Sequence, residues 1–416
     1  MPGATLTTID KALKEDYLPP IRDQFNTKKV LLAKIQRGRK QDVVGKTFVL
    51  PIVTARPQGT APRGESQALP TAGSVTYDTM ATAMRYNYSV VRVTGQAIEA
   101  AKSDKGSFIR SLDGEIKGAA ESMLRSINRQ LNMEGSGILA ICGTTSSSTT
   151  VVVYDARYLE VGMTIDVLTI ASGAVNVSAR TISSVNKTAN TFVISGAAIS
   201  TTDKTHGIYY DGGADGECRN IDMMGILGLI EDSNPSAILD TTGNDTGRAV
   251  LQTLDVATDT FWVSTVLSNS GTNRPFTQEL MDDLFAQMEE DGGRADEVDM
   301  LYSHIAQWKR YGRLLRNDRR YGANAADTKQ DGGFRYLEYD GVPWYYDRDA
   351  PKNRVYAVDS SDLAIYQMSE LKWQSREGSI LKWVDSYDAY TAFLSWYAEL
   401  GIGRRFKHGV LTDLTQ

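Results

Sequence analysis

Cysteine and histidine are scarce in this chain of 416 residues: there are two of the first, Cys142 and Cys218, and three of the second, His206, His304 and His408. Two thiols cannot build a disulfide framework. The histidines lie far apart and form no HExxH or paired spacing, so nothing marks a zinc site or a histidine-based triad. No Gly-x-Ser-x-Gly elbow occurs. No apolar run nears the ~18 residues that mark a membrane span. The start, Met1-Pro2-Gly3-Ala4, lacks the basic and apolar stretches of a signal peptide, and the expectation is a chain that folds in a cytoplasm. Excess positive charge is missing too. The net charge of -6 argues against a dedicated nucleic-acid reader, although a local basic face remains open. No lysine lies between Lys46 and Lys102.

What is present is a globular composition and an unusual order of parts. Hydrophobic residues make up 41% of a chain long enough for two or three cores. The first segment reads as an arm. Thr7-Thr8-Ile9-Asp10 has a capping pattern, Pro19-Pro20 breaks the helix it starts, and Ile21, Phe25, Val30, Leu31 and Ile35 suggest a second helix before Arg37, Arg39 and Lys40. Phe48 to Ala101 reads as extended. A strand at Phe48–Val53 carries Pro51, which suits an edge; turn residues follow; Ser74–Ala83 and Tyr86–Val93 return as strand. A two-stranded ribbon is barely stable alone, so this one needs a partner surface.

A long amphipathic helix is expected over about Ser107–Met133. Phe108, Leu112, Ile116, Ala119, Met123, Ile127 and Leu131 form its apolar stripe, Asp113, Glu115, Lys117, Glu121, Arg125 and Arg129 its other faces, and Gly135 its stop. Gly143 to about Asp215 then changes texture. A serine/threonine linker and short, evenly spaced strands predict a small β-barrel or sandwich, bracketed by Cys142 and Cys218 as ordinary thiols. Further on, Thr277 is expected to cap a helix with Phe276 stapled to Met281, and Ser303 to open another. Gly341–Tyr346, Arg354–Val358, Ala364–Tyr366 and Ile380–Arg405 read as strands.

Chemistry is absent from these patterns. Gly45-Lys46-Thr47 imitates the end of a phosphate-binding loop, but position 40 is lysine and a strand pattern follows, so no helix N-terminus would hold the phosphate. Asp211, Asp215 and Glu217 crowd glycine turns without the alternating spacing of a calcium loop, and read as solvated. No catalytic, cofactor-binding or metal residue is assigned.

The order of arm, extended loop, long helix and late return strands resembles the major capsid proteins of tailed bacteriophages, of the Hong Kong 97-type fold. Three local patterns carry the resemblance: Glu65-Ser66-Gln67-Ala68-Leu69-Pro70-Thr71-Ala72-Gly73, Gly341-Val342-Pro343 leading to Arg354-Val355-Tyr356-Ala357-Val358-Asp359, and Tyr390-Thr391-Ala392-Phe393-Leu394 leading to Arg404-Arg405-Phe406. The resemblance implies an α+β fold. Residues 1–46 would be the N-arm, 47–94 the E-loop, 95–142 the peripheral domain with its spine helix, and 143–215 an inserted all-β domain. Residues 216–373 would be mainly the axial domain, and 374–416 strands returning to the peripheral domain.

It further implies a virion shell of hexamers and pentamers, assembled in a bacterial cytoplasm. The shell would enclose double-stranded DNA without sequence specificity, with no membrane. A portal, decoration proteins and, since the arm starts at Met1, a separate scaffold would be its partners. Candidate inter-subunit or DNA-facing contacts are Arg56, Arg63 and Glu65, the cluster Arg310, Arg313, Arg316, Arg319 and Arg320, and the tail Arg404, Arg405 and Lys407. The plainer expectation for these arginines is pairing with Asp282, Asp283, Glu289 and Glu290. Some members of the family join subunits through a lysine of the E-loop; with none here, the shell is expected to be non-covalent. Two rivals stand beside this reading: an encapsulin-like compartment of the same fold, and a sugar- or ligand-binding protein that uses the β-insertion.

Overall fold

The computed structural model describes residues 30–38, 40–42, 45–96, 105–213, 218–231, 252–254, 256, 259, 261–292, 295–318, 337–374, 382–384 and 387–415. The capping pattern at Thr7 and the Pro19-Pro20 break lie outside them. α1 (Val30–Gly38) buries Leu31, Leu32 and Ile35 on one face. β1 (Lys40–Asp42) follows, and Gly45, in the left-handed region at φ 117, turns the chain into β2 (Thr47–Ala55). β2 pairs antiparallel with β3 (Thr76–Ala83), and Met84 alone separates β3 from β4 (Arg85–Thr94). α2 (Lys105–Asn132) is the long helix, 28 residues or about 42 Å at 1.5 Å per residue. Its Met123, Ile127 and Leu131 are buried at four-residue steps, and Gly135 at φ 78 supplies the expected stop. The side chains of Phe108 and Leu112 lie outside the described residues.

The β-rich segment holds β5 (Ala140–Ile141), β6 (Thr150–Val152), β7 (Thr164–Thr169), β8 (Val175–Asn186), β9 (Thr191–Ile194) and β10 (His206–Tyr210), in sheet order β5-β10-β7-β8-β9-β6. A bridge between Cys142 and Val153 joins the two ends, with Gly143 N–H donating to Val152 O (2.8 Å) and Tyr154 N–H to Ile141 O (3.0 Å). The sheet therefore closes into a barrel, which leaves no free edge to aggregate. Val151, Ile165, Val167, Ile182, Phe192 and Ile208 fill its interior as a core of its own. Pairing begins at Ala140, three residues before the expected boundary. Burial raises the Cys142 thiol to about 12, and it forms no disulfide with Cys218.

The rest of the chain builds two sheets. Its elements are α3 (Ile226–Leu229), β11 (Thr265–Leu267), α4 (Gln278–Glu290), β12 (Met300–His304), α5 (Ile305–Asp318), β13 (Leu337–Tyr339), β14 (Val342–Asp347), β15 (Val355–Val358), β16 (Leu363–Trp373), β17 (Lys382–Trp383), β18 (Ala389–Ile402) and β19 (Gly409–Leu411). A six-stranded sheet runs β11-β19-β15-β12-β14-β13, with α4 and α5 packed on it through Met281, Leu284, Trp308 and Tyr311. A five-stranded sheet is centred on β18, with β16, β1 and β17 to one side and β4 to the other. One large core joins α1, the ribbon base, α2, α3 and both sheets.

Four expectations change here. β4 leaves the ribbon and pairs with β18 over ten positions, Arg85–Thr94 against Ala389–Ala398. β16 belongs with the closing strands, through pairs from Leu363↔Ile402 to Trp373↔Leu394, and not with the segment before it. The last strand, β19, crosses back to the six-stranded sheet between β11 and β15. Ser303 lies within β12 instead of opening a helix; α5 starts two residues later, where His304 Nδ1 accepts the Ala306 N–H at 3.1 Å. The Thr277 cap is as expected, its Oγ1 accepting the Leu280 N–H at 3.3 Å.

Candidate assembly surfaces

The ribbon β2–β3 is two-faced because strand side chains alternate. Phe48, Leu50 and Ile52 turn toward the body: Phe48 stacks on Tyr366 with ring centroids 3.7 Å apart, and Leu50 and Ile52 reach the main core. On the other face Val49, Val53 and Tyr77 are 56%, 56% and 66% exposed. A two-residue clamp fixes the base. Ala81 N–H donates to Gln252 O and to Thr253 Oγ1, both at 3.1 Å. Gln252 and Thr253 sit in the left-handed region, at φ 52 and 68, a cost of roughly 1–3 kcal/mol each that surrounding contacts must offset.

Beyond the ribbon, residues 56–75 contain no helix or strand. A Cβ on Gly73 would lie 2.6 Å from Gln58 N, so the two legs of the loop touch there. Arg56, Arg63 and Glu65 are all exposed on it, and Leu69 is 85% exposed. Arg56 also lines an open groove of about 590 Å³ along edge strand β11, opposite Phe261, Phe406 and Asp291.

The other basic candidates do not converge on one face. Arg405 is only 1% exposed, and its guanidinium donates to Leu229 O (2.9 Å), Trp262 O (2.8 Å) and Glu231 O (2.5 Å). It ties Leu229 and Glu231, at the end of α3, to Trp262, just before β11. Lys407 is buried too, donating to Glu297 and to Asp359 (3.3 Å). Burial opposes its charge, but the Glu297 bond, the Asp362 charge and the Asp359 bond outweigh that and hold its pKa above the usual lysine value. Neither residue is open to a phosphate on this chain, which tells against reading these two, though not Arg404, as contacts. Arg404 is half-exposed and held by two 2.9 Å bonds to Asp362. On α5, Arg310 donates to Thr415 Oγ1 and Arg313 is exposed. The Arg316 side chain and all of Arg319 and Arg320 lie outside the described residues. No ion pair is found, among the described residues, between these arginines and Asp282, Asp283, Glu289 or Glu290.

Sequence reasoning missed two groups. The first is a latch that docks the barrel. Arg157 donates to Arg348 O (2.8 Å) and Ala350 O (3.2 Å), Lys352 pairs with Asp155 (2.7 Å), and Arg125 of α2 pairs with Glu160 (2.6 Å). Arg129, read as lying off the apolar stripe, is 3% exposed and pairs with Asp222 at 2.6 Å, because the barrel covers that end of α2. Arginines on a polar helix face carry no sequence signal of what will cover them. The second is an aromatic face on the five-stranded sheet. Odd positions of β4 face α2, with Ser89 Oγ donating to Ala119 O (3.2 Å) and Gln130 Nε2 to Asn87 Oδ1 (2.8 Å). Even positions face out: Tyr86, Tyr88 and Val90 are 47%, 56% and 64% exposed. Their alternation was visible, but it could not say which set would stay uncovered.

Among the described residues no group of three or more His, Cys, Asp or Glu side chains is placed to hold a metal. Asp211 accepts the Gly213 N–H at 2.9 Å, an ordinary turn, while Asp215 and Glu217 lie outside the described residues. No described helix is long and apolar enough to cross a membrane.

No protein-family model matches the chain, and no curated protein matches it. Solved structures do. A chain of the cyanophage A-1(L) capsid asymmetric unit is similar with a TM-score of 0.59 at 14% identity, over 99% of this chain and 100% of that one. The capsid of a native GTA particle gives 0.49 at 10% identity, over 97% and 96%. The holo-SrpI encapsulin complex from Synechococcus elongatus PCC 7942 gives 0.48 at 9% identity, over 100% and 98%. The chain has the Hong Kong 97-type fold, that of the cyanophage A-1(L) capsid chain.

Proposed function

We propose that this chain is the major capsid protein of a tailed phage, a non-enzymatic subunit that assembles as hexamers and pentamers into the virion shell around double-stranded DNA. The full-length likeness of fold to the cyanophage capsid chain carries the proposal. The ribbon supports it: a two-stranded element with an uncovered apolar face is a poor design for a solitary protein and a good one for a neighbour-grasping arm.

In this reading residues 1–46 are the N-arm, 47–94 the E-loop, 95–142 the start of the peripheral domain and 143–215 the inserted domain. The axial domain takes most of 216–373, and 374–416 returns to the peripheral domain; the pairing of β16 with β18 and of β19 with β15 supports counting β16 with the peripheral side and β19 with the axial side. Arg56, Arg63, Glu65, Arg313 and Arg404 are the exposed contact candidates. Any grip on DNA is phosphate neutralisation that weakens with salt. Scaffold, portal and decoration proteins are the partners this role calls for, and assembly belongs in the host cytoplasm.

Negative-stain electron microscopy of the purified chain, alone and with a scaffold candidate, tests the proposal. Closed particles or hexamer sheets are expected. A monomer under both conditions, with no large species by sedimentation, would sink it. Particles filled with an enzyme instead of DNA would favour the compartment reading. Because no lysine lies between Lys46 and Lys102, boiled particles should run as one monomer band on a denaturing gel, and a covalent ladder would refute the non-covalent shell.

A further inference from the structure

The two helices on the six-stranded sheet carry opposite charge. α4 contains Glu279, Asp282, Asp283, Glu289 and Glu290 and no lysine or arginine. α5 contains Lys309, Arg310, Arg313 and Arg316 against one acid, Asp318. Helical spacing sorts these charges by face. Met281, Leu284 and Met288 are buried, and at about 3.6 residues per turn the five acids fall on the opposite side of α4. All five are exposed. On α5, Trp308 and Tyr311 are buried, while Lys309 and Arg313 are exposed one turn apart on the outer side.

The sequence suggested that these charges pair within the chain, and they do not. The helices meet through rings: Phe276 lies edge-on to Tyr311 at 6.2 Å, and Tyr339 sits between Phe285 (5.9 Å) and Tyr311 (5.8 Å). Asp282 accepts the Tyr339 hydroxyl. Among the described residues, neither the five acids nor Lys309 and Arg313 have an ion-pair partner.

For a solitary copy this arrangement is unfavourable. Glu279 lies one turn from Asp282 and Asp283, and like charges at that spacing destabilise a helix. Glu289 and Glu290 stand in the last turn of α4, with Asp291 after them, where the helix's own partial charge is negative. Among the described residues no cation offsets either repulsion. A local rule broken without a gain inside the fold marks a surface shaped for something outside it.

We propose that the acidic face of α4 receives the basic face of α5 from another copy of the chain. The proposal rests on the shell reading and adds to it a charged seam between copies. The partner is a second copy because one chain carries both signs, each unpaired, so every copy can offer one face and accept the other. Opposite charges across such a seam steer the encounter and reject wrong registers more than they add affinity. Exposed pairs are screened by salt, so assembly through the seam weakens as ionic strength rises.

Two measurements decide it, both under conditions in which the wild-type chain closes particles. A zero-length carbodiimide condenses a lysine amine with a carboxylate only where the two touch, and Lys309 is the only lysine of α5. In particles built from mixed light- and heavy-isotope wild-type chains, mass spectrometry should find Lys309 joined to Asp282, Asp283, Glu289 or Glu290 of a different copy, at least tenfold above the level in free subunits. Charge reversal gives the second test. Lys309→Glu/Arg313→Glu and Asp283→Lys/Glu290→Lys, both confined to exposed positions, should each cut particle yield at least tenfold. An equal mixture of the two variants should regain assembly, because each then meets its complement on the other. Closed wild-type particles without the Lys309 link overturn the proposal and leave the shell reading standing. Variants that close particles as the wild type does also overturn it, and the faces are then ordinary solvated surface. Variants that both fail and do not recover on mixing overturn it as well, since the two faces then serve separate partners such as a scaffold. If the wild-type chain forms no particles at all, the shell reading falls and the seam with it.

Discussion

Arg404 and Arg405 are adjacent in sequence and opposite in circumstance. Arg404 holds Asp362 near water, where such a pair contributes ~0–1 kcal/mol. Arg405 satisfies three carbonyls in the core. Truncating it leaves those acceptors buried and unpaired, at roughly 1–3 kcal/mol apiece. Arg405→Met should therefore lose at least ~3 kcal/mol in urea unfolding, while Arg404→Ala stays within ~1 kcal/mol of the parent. Similar losses in the two variants would show that burial does not separate them.

His408 gives a second test at this scale. It is fully buried, its Nδ1 accepts the Asp359 N–H at 3.3 Å, and burial lowers its pKa to about 4. Below its unfolded value of ~6.5, the unfolded chain takes up a proton that the folded chain refuses. Stability is thus complete above pH ~6.5 and falls as pH drops toward 4, by about 3 kcal/mol from this residue. His304, also lowered to about 4 by burial and by the Arg157 and Lys352 charges, adds in the same direction; Asp347, raised by burial, opposes it. His408→Asn, which keeps an acceptor near the Nδ1 position, should flatten the slope of stability against pH between 4 and 6.5. An unchanged slope would assign the acid sensitivity elsewhere.

At the scale of elements, what the sequence shows depends on how local the cause is. The cap at Thr277, the stop at Gly135 and the stripe of Met123, Ile127 and Leu131 are written within a few residues, and all are found as read. Strand pairing is not local. β4 finds β18 about 300 residues away, and β11 finds β19, through apolar faces that many strands share. The same limit governs the candidate surfaces: the extended loop was legible, but the burial of Arg405 and Lys407 and the exposure of Tyr86 and Tyr88 follow from packing. Gly225 shows such a hidden constraint. Its φ of -116 suits any residue, yet a Cβ there would sit 2.3 Å from Gln130 O and Met133 O at the end of α2. Gly225→Ala must push α3 off the helix it abuts. A loss of ~3 kcal/mol or more in thermal unfolding is expected, at the upper end for single substitutions. A neutral result would mean that the junction yields freely.

For the whole molecule, stability and assembly should separate cleanly. Residues 56–75 contribute no side chain to any of the buried clusters, and the ribbon they extend is anchored below them by Phe48, Met80 and the Gln252–Thr253 clamp. Ala55 already faces Thr76 across the ribbon, so a two-residue Asn-Gly turn can replace the whole loop without moving either strand. The shortened chain should keep its unfolding midpoint within ~0.5 kcal/mol of the parent, since loop closure changes slowly with length and surface changes are usually small. It should nevertheless lose closed particles, because the loop carries the reach to a neighbour while the body carries the fold. Sedimentation beside urea unfolding separates the outcomes. A stable chain that sediments only as small species places the loop in assembly. A stable chain that still closes shells would show that the ribbon face alone holds neighbours together. A chain that unfolds early would mean that the loop serves its own body after all.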